Sequence, residues 1–419
     1  MKKYDSYKDS GIEWIGEIPS HWEISSIKKQ GYEFETEKRE STELNEILSI
    51  GGEHIQNGTF LLDNPRYVSE DFYNKIDKGI IKKGDILTVK DGATIGKSMY
   101  VENMPTEKMI LNEHVYRIKG NKFFYYIIIS YSTQYQFCMN NQSTAQESIT
   151  TDTLKTVQFC LPPSFEQTAI ANFLDLKTSE IDEIIADKKR LLELYEEEKT
   201  AIINQAVTKG LDPNAPIKDS GIEWLGEIPE HWEVKRFRYY FDLISEKAEV
   251  NENIPKIGLE NVESKTGKFI ESNSDFAGIG VRFKENDILF GKLRPYLAKV
   301  WLSNTEAQAV GDFYVFRSKN EVSPEFAKYR ILDKSFIEVT NSSTYGTKMP
   351  RVSWEYISDL PIAFPSIDEQ LAIVHHIESE CSKIDFKKAR TEELIELLTE
   401  YRTALISEAV TGKIKVTED

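Results

Sequence analysis

The chain has 419 residues, enough for two or three domains that each bury a core of their own. It carries 52 Lys and Arg against 69 Asp and Glu, and the formal net charge of −17 argues against a globally basic nucleic-acid-binding protein. Any nucleic-acid contact must therefore come from local basic loops, with help from a partner that supplies further phosphate contacts.

Cysteine, histidine and apolar patterns narrow the class of protein further. The three cysteines have no close spacing and the six histidines lack metal spacing, so we expect neither disulfides nor a metal site. The longest apolar run, at 123–129, is too short to cross a membrane, and no signal peptide is predicted. These features predict a cytoplasmic protein that makes no membrane contact.

The chain contains an internal duplication. KDSGIEWIGEIPSHW at 8–22 recurs as KDSGIEWLGEIPEHW at 218–232, with thirteen of the fifteen positions identical. Shorter matches follow in the same order: GDIL at 84–87 with NDIL at 286–289, and VYRIK at 115–119 with VFRSK at 315–319. A unit of about 200 residues is far longer than a solenoid repeat, so we expect two related halves with approximate two-fold symmetry.

Each half begins with a region that predicts a mixed α/β (α+β) fold. Short β-rich runs at 86–89, 288–290 and 313–317 alternate with turn residues. One helix is predicted at about 123–139 and another at about 324–340. The predicted domain plan consists of two mixed domains, each followed by a helical region: 1–160, 161–210, 211–362 and 363–419.

A long helical pattern follows each mixed region. Ser164 with Gln167 resembles a capping box and Gly210 is a predicted helix stop, and the second copy repeats this design from Ser366, with Glu369, to Gly412. Apolar residues at 3-4 spacing predict a coiled-coil seam on each helix. The residues predicted to pair the helices are Ile184, Leu191, Tyr195, Ile384, Leu398 and Leu405.

Two packing arrangements of these helices remain open. Each helix could pack only on its own domain, or the two helices could pair with each other. Their length and matching positions favour pairing, and the globular region between them makes an antiparallel pair the natural arrangement. The predicted fold is then two related domains joined by an antiparallel coiled coil.

The sequence holds several motifs that only resemble catalytic ones. GATIGKS at 92–98 has three residues between its glycines, whereas a phosphate-binding loop needs four. LPPSF at 161–165 lacks the polar first residue of an adenine-methyltransferase loop, and the E-x-K triplet at 263–265 is too short a signal for a nuclease. We therefore predict no catalytic site in this chain.

Polar and basic loops give a better signal, for recognition of DNA. Basic residues follow a predicted strand in both halves, and a second polar segment follows each predicted domain helix. Arg and Lys can bind guanine acceptors or phosphates, and Gln can pair with adenine. Ordinary solvated loops are the alternative reading of any one of these residues. The candidate DNA-binding residues are Lys90, Lys97, Gln146, Lys292, Arg294, Tyr296, Lys348 and Arg351.

The ordered set of duplicated motifs resembles the specificity subunit of type I restriction-modification systems. The S-G-I-E-W-x-G-E-I-P-x-H-W opening, the D-I-L element, the polar Ser-Thr loop and the Glu-Gln pair before a long helix all occur twice. The likeness covers nearly the whole chain. In that family the two globular units are target recognition domains, and each reads one half of a bipartite DNA sequence.

The resemblance also implies a set of partners. The helical regions would set the spacing of the half-sites and dock two methyltransferase subunits, and ATP-driven restriction subunits would join the complex on double-stranded DNA. This subunit would carry no cofactor, whereas S-adenosylmethionine and ATP with Mg would bind the partner subunits. The assembled complex would be an adenine-specific DNA methyltransferase and endonuclease.

Two other functions remain open from the sequence. A duplicated scaffold that binds two copies of a protein partner, without DNA, would suit the same symmetry. A stand-alone enzyme is the second alternative. DNA binding by the reconstituted complex and an activity screen without partners would separate these cases.

Overall fold

The computed structural model describes residues 2–38, 46–56, 58–141, 148–249, 254–272, 279–346 and 348–417. The chain divides into two compact units. Unit 1 comprises Met1–Lys189 with Glu393–Asp419, and unit 2 comprises Arg190–Glu392. Within the described ranges, no helix is both long and apolar enough to span a bilayer.

Unit 1 mixes short strands with helices. Its strands are β1 (Tyr7–Asp9), β2 (Glu17–Pro19), β3 (Glu23–Ser26), β4 (Phe34–Glu35), β5 (Ile47–Ile50), β6 (Ile55–Gln56), β7 (Thr59–Phe60), β8 (Arg66–Val68), β9 (Asp85–Val89), β10 (Ser98–Tyr100), β11 (Met109–Leu111), β12 (Val115–Lys119) and β13 (Gln158–Leu161). Its helices are α1 (Glu70–Tyr73), α2 (Lys122–Ile129), α3 (Tyr131–Asn141), α4 (Thr151–Thr156) and the first part of the long α5 (Ser164–Lys209), with a 3-10 helix at Gly52–His54.

The central sheet of unit 1 is buried on both faces. Its strand order is β10-β9-β12-β4, and every neighbouring pair in it is antiparallel. Along β9, Ile86 packs into the cluster that includes α2 and α5, while Leu87 and Val89 pack against the second sheet, β11-β5-β8. Alternate side chains of a strand point to opposite faces, so this one strand joins two cores.

Unit 2 repeats this plan. Its strands are β14 (Ile217–Asp219), β15 (Glu227–Pro229), β16 (Glu233–Arg236), β17 (Phe241–Ile244), β18 (Lys247–Glu249), β19 (Lys256–Ile257), β20 (Ile279–Phe283), β21 (Ile288–Gly291), β22 (Val300–Leu302), β23 (Ala307–Ala309), β24 (Phe313–Ser318) and β25 (Pro361–Phe364). Its helices are α6 (Phe237–Tyr240), α7 (Pro324–Leu332), α8 (Lys334–Ser342), α9 (Trp354–Asp359) and the first part of the long α10 (Ile367–Val410), with 3-10 helices at Leu259–Asn261 and Pro295–Leu297.

The central sheets of the two units correspond strand for strand. The order β22-β21-β24-β17 in unit 2 matches β10-β9-β12-β4 in unit 1. Within β21, Ile288 and Phe290 face one hydrophobic cluster and Leu289 faces the other. The mixed α/β architecture and its duplication, both predicted from the sequence, are confirmed.

The single helix predicted near the middle of each half is two helices. In unit 1 the break falls at Ser130, whose ψ of 150° is extended and whose hydroxyl donates to the carbonyl of Ile127 at 2.7 Å. In unit 2 it falls at Asp333, whose carboxylate accepts from the backbone N–H of Ser335 and so caps the following helix. A polar side chain that bonds the local backbone ends one helix and starts the next.

The starts of the long helices differ from the predicted capping boxes. Gln167 donates to the carbonyl of Pro162 at 3.0 Å, and Glu369 binds other side chains, so neither reaches back as a capping box requires. The predicted stops are confirmed, because Gly210 and Gly412 both have φ of 74°, where a glycine is favoured.

Each unit contains an antiparallel pair of segments from α5 and α10. In unit 1 the guanidinium of Arg402 donates to both carboxylate oxygens of Asp182, at 2.9 and 3.1 Å. In unit 2, Lys199 Nζ donates to both carboxylate oxygens of Asp385, at 2.7 and 2.8 Å. Asp182, Glu196 and Lys199 follow one another along α5, and their ion-pair partners Arg402, Lys388 and Asp385 come in the reverse order along α10, as antiparallel packing requires. The predicted pairing of the helices is confirmed within each unit.

The helix-pairing residues differ in burial. Leu405 and Ile384 are both 2 % exposed. Leu191, Tyr195 and Leu398 are half-buried, and Leu398 packs on the core of unit 1.

The prediction that Ile184 lies in the seam is wrong, since its side chain is 44 % exposed. Ile185 packs on the unit 1 core instead. Ile185 follows the buried Ile181 by four positions, and both i+3 and i+4 steps keep a residue near the same helix face. An apolar residue at each step left the choice open from sequence alone.

Candidate nucleic-acid interface

A buried carboxylate joins the duplicated opening segment of unit 1 to α5. Glu166 is 3 % exposed and accepts hydrogen bonds from the hydroxyl of Tyr4 at 2.9 Å and from the indole of Trp22 at 3.0 Å. Its other oxygen lies 2.6 Å from Nε2 of His21. Burial, and then the bond to Glu166, raise the pKa of Tyr4, so its hydroxyl stays protonated and donates.

Unit 2 repeats this joint with fewer donors. Glu369 accepts from the indole of Trp232 at 3.1 Å, and its other oxygen lies 2.8 Å from Nε2 of His231. The His-Trp pair and the Glu of the Glu-Gln pair, both of which occur in each copy, are therefore partners in one contact. This contact holds the opening segment of each unit on its long helix.

The basic loop of unit 1 leaves the sheet at Lys90, directly after β9. The backbone N–H of Lys90 donates to the carbonyl of His114 at 2.9 Å, and its carbonyl accepts from Ile149 at 2.6 Å. Its ammonium lies over the ring of Tyr116, 5.6 Å from the centroid. The backbone of this lysine is thus bonded on both sides, and its charge is placed against an aromatic face.

Lys292 occupies the same place in unit 2. Its N–H donates to the carbonyl of Asp312 at 2.9 Å, and its carbonyl accepts from Val352 at 3.1 Å. Its ammonium lies 5.0 Å from the ring centroid of Tyr314. Burial lowers the pKa of Lys292. The carboxylate of Asp312 raises this pKa, and the positive charge of Arg351 lowers it.

The strand register corrects one detail of the internal alignment. VYRIK and VFRSK pair Tyr116 with Phe316, but Tyr116 lies opposite Thr88 of β9 and Tyr314 lies opposite Phe290 of β21. Thr88 and Phe290 each precede the basic lysine by two residues, so Tyr116 and Tyr314 are the equivalent pair. A shift by two residues keeps a strand's alternation, and sequence pattern could not detect it.

The two loops have equal length and matching closure. Each spans eight residues, 90–97 in unit 1 and 292–299 in unit 2. The N–H of Val89 donates to the carbonyl of Lys97 at 2.9 Å, and that of Gly291 donates to Lys299 at the same distance. The two loops therefore have the same length and the same closing backbone hydrogen bond.

The loops also share two left-handed positions. The third loop residue is Gly92 with φ of 89° in unit 1 and Arg294 with φ of 52° in unit 2. The seventh is Gly96 with φ of 80° and Ala298 with φ of 49°. Glycine enters this region freely, whereas a side chain is disfavoured there. Unit 2 places two non-glycine residues where unit 1 has glycines.

The exposed face of the unit 2 loop carries a basic and an aromatic side chain. Arg294 is exposed, and its backbone N–H donates to the carbonyl of Pro350 at 2.8 Å. Tyr296 is 48 % exposed, and Lys348 is exposed on the segment that also includes Pro350. Tyr345 is 62 % exposed in the same segment. It was not among the predicted DNA-binding residues, because a single tyrosine in a polar segment gives no periodic signal.

Arg351 and Lys97 fit a direct contact less well. Arg351 Nη2 lies 3.0 Å from Asp312 Oδ1, so its charge is already paired beside Lys292. Lys97 is half-buried at the end of its loop, and its counterpart Lys299 donates to the carbonyls of Leu259 and Val262. Gln146 lies outside the described residues.

Metal ligation finds no support in the described part of the chain. No group of three or more His, Cys, Asp and Glu side chains there could hold a metal ion. Unit 1 does place His114 against Asp91, with Nδ1 2.6 Å from Oδ1, where unit 2 has Asp312 against Arg351. Each basic loop thus has a carboxylate bonded to a nitrogen-bearing side chain beside its lysine, built from different residues.

Comparisons with known proteins agree with this architecture. A family model described as the type I restriction modification DNA specificity domain matches residues 22–194 and 232–396. The type I restriction enzyme MjaVIII specificity subunit of Methanocaldococcus jannaschii is 23% identical over 358 residues, which cover 80% of each chain.

Two solved structures share the fold. A chain from work on the complex assembly and conformational transition of the type I R-M system gives a TM-score of 0.67 at 13% identity, covering 95% of this chain and 99% of that one. The HsdS subunit from Thermoanaerobacter tengcongensis gives 0.55 at 12% identity, covering 95% and 98%.

The fold and its two basic loops define a duplicated α/β protein. The chain belongs to the type I restriction-modification DNA specificity family, as the match over both halves shows. Members of this family are specificity subunits and not catalytic ones.

Proposed function

We propose that each unit of this specificity subunit reads one half of a bipartite DNA sequence. The observation that carries the proposal is the duplicated basic loop, in which Lys90 and Lys292 leave equivalent strands and lie over equivalent tyrosine rings. Two copies of one loop suit two separate half-sites. Lys and Arg side chains of this kind bind phosphates and guanine acceptors.

The recognition domains in this proposal are 1–160 and 211–362, and the helical regions 161–210 and 363–419 set the spacing and dock two methyltransferase subunits. Restriction subunits complete the assembly. S-adenosylmethionine and ATP with Mg bind to those partner subunits. The whole complex methylates adenine and cleaves DNA. The ion-paired antiparallel segments within each unit support a fixed spacer, because they hold α5 against α10.

The contact residues in this proposal are ranked by their placement. Lys292, Arg294, Tyr296 and Lys348 are the proposed contacts in unit 2, and Lys90 is the first candidate in unit 1. Arg351 would act through its ion pair with Asp312. Lys97 and Gln146 stay predictions from the sequence.

The acidic charge of the chain shapes the expected binding behaviour. With 52 basic and 69 acidic residues, the isolated chain should bind DNA weakly. Binding should become tight and salt-sensitive once methyltransferase subunits add phosphate contacts. Nanomolar, sequence-specific binding by the chain alone would contradict this charge argument.

Mapping of methylated adenines tests the proposed function directly. Genomic DNA from the host, with and without this gene, should differ by one bipartite motif that is methylated only when the gene is present. A gel-shift measurement with the reconstituted complex provides the binding readout. Unchanged methylation, together with no DNA shift by the complex, would favour the protein scaffold instead.

A further inference from the structure

The internal duplication supplies a comparison that separates two kinds of DNA contact. Two units that read different half-sites should share the contacts that ignore sequence and differ in those that read it. We propose that Lys90 and Lys292 bind DNA phosphates in both units, whereas Arg294 reads a guanine in the second half-site only. This inference rests on the proposed function.

The backbone of Arg294 is the first observation behind this assignment. Its φ of 52° lies in the left-handed region, and the equivalent residue of unit 1 is Gly92. A glycine would therefore fit the loop with less strain than arginine does. Strain of this kind persists at functional sites where the side chain is needed.

Among the described residues, the side chain of Arg294 makes no contact that would explain this strain. It is exposed, and its guanidinium has no hydrogen-bond acceptor within the described ranges. Ala298, at the other left-handed position of the loop, differs because it is 6 % exposed and belongs to the core cluster of unit 2. Packing thus explains Ala298, whereas no contact within the described residues explains Arg294.

The chemistry of the guanidinium indicates the base. Its planar fork matches the O6 and N7 acceptors of guanine, a pair that no other base presents in the major groove. Gly92 offers no such group, so unit 1 must read its half-site with other residues. The guanine contact therefore belongs to one half-site alone.

The lysines show the opposite pattern. Lys90 and Lys292 share residue type, strand position, backbone bonds and a tyrosine neighbour. A compact ammonium on a flexible stem suits a phosphate oxygen, which is present at every nucleotide. Because Lys90 and Lys292 are equivalent in two domains that read different half-sites, we assign both to the DNA backbone.

Arg294→Gly gives a sharp test, because the unit 1 loop already uses glycine at this place. The complex reconstituted with methyltransferase subunits is given a plasmid library randomised in both half-sites, and methylated sites are sequenced. Preference for guanine at one position of one half-site should fall by about tenfold or more. The melting temperature of the variant should equal or exceed that of the natural chain, since strain is relieved.

Ala298→Gly is the matched control in the same loop. It relieves the second left-handed residue and should leave the methylated motif unchanged. If Arg294→Gly also left the motif unchanged, or lowered methylation of every library member equally, the base-reading assignment would be overturned.

The lysine assignment is tested with Lys90→Ala and Lys292→Ala in the same complex. Each should weaken binding equally for all library members and lower the slope of log affinity against log salt by about one. An altered motif for either variant would overturn the phosphate assignment. If the unsubstituted complex methylated no bipartite site, the proposed function itself would fail, which is a distinct result.

Discussion

The indole Nε1 of Trp22 donates to Oε2 of Glu166 at 3.0 Å, in a place where both residues are buried. This contact explains why two short motifs more than a hundred residues apart recur together in each half. The His-Trp end of the opening segment needs a carboxylate, and the Glu-Gln start of the long helix supplies it.

Replacing Glu166 by Ala should destabilise unit 1. The hydroxyl of Tyr4 and the indole of Trp22 would stay buried without an acceptor, which costs about 1–3 kcal/mol for each group. Hydrogen exchange followed by mass spectrometry can localise the loss to unit 1 peptides. Glu369→Ala is the matched control, with only one fully buried donor, and should cause a smaller loss confined to unit 2; equal losses would contradict the account.

The helix seam of unit 1 can be tested by a graded series. Leu405 is 2 % exposed, and Leu405→Ala should lower the free energy of unfolding by about 2–5 kcal/mol through lost burial and a cavity. Leu398→Ala should cost less, because Leu398 is half-buried. Ile184→Ala should change stability by no more than about 0.5 kcal/mol. Denaturant titration of the full-length chain and its variants checks this order. A large effect of Ile184→Ala would refute it.

The buried ion pair of unit 2 has an uncharged counterpart in unit 1. Arg330 is 2 % exposed, lies 3.1 Å from Asp333 and packs on the ring of Trp224. The corresponding residues of unit 1, at the end of α2, are Ile127 and Ser130. Asp333→Ala should therefore cost about 3–5 kcal/mol, because it leaves a buried charge alone.

The double variant Arg330→Ile with Asp333→Ser copies the solution of unit 1. It removes both charges and keeps a side chain able to cap α8, so its free energy of unfolding should lie near that of the natural chain. Thermal unfolding of the single and double variants gives the coupling between the two sites. If the double variant lost as much stability as Asp333→Ala, the charge argument would be wrong.

DNA binding should weaken at alkaline pH through Lys292. Burial, helped by Arg351 and Lys247 and opposed by Asp312, lowers the pKa of its ammonium in the free protein, while a phosphate would raise it again in the complex. Binding then takes up a proton, so affinity falls as pH rises above the lowered pKa. Fluorescence anisotropy at a series of pH values measures this, and Lys292→Arg should flatten the decline. An identical decline in that variant would exclude Lys292 as its source.

The sequence predicted the repeated features of the fold well. Helix stops at Gly210 and Gly412 and the paired long helices follow from local chemistry and periodicity, which a single sequence displays. The helix breaks at Ser130 and Asp333 were missed, because a polar residue between two apolar stretches does not interrupt the helical pattern. Their effect arises only once the side chain bonds the local backbone.

The candidate site was predictable in place but not in detail. Lys90 and Lys292 were found because both follow a clear strand. The ion pair between Arg351 and Asp312 joins residues that are far apart in sequence, so its effect on Arg351 was invisible. The left-handed conformation of Arg294 was hidden for a similar reason, since arginine gives no signal for positive φ.

The central claim is that two half-sites are read at a distance set by the helices, and methylome sequencing of a lengthened variant tests it most directly. Four helix-forming residues inserted into both α5 and α10 at matched positions add about 6 Å with a net rotation of about 40°. Along B-DNA this equals roughly one or two base pairs at about 3.4 Å each. The account predicts the same two half-site sequences, separated by one or two additional base pairs. Retention of the original spacing, or a change in the half-site bases, would contradict it.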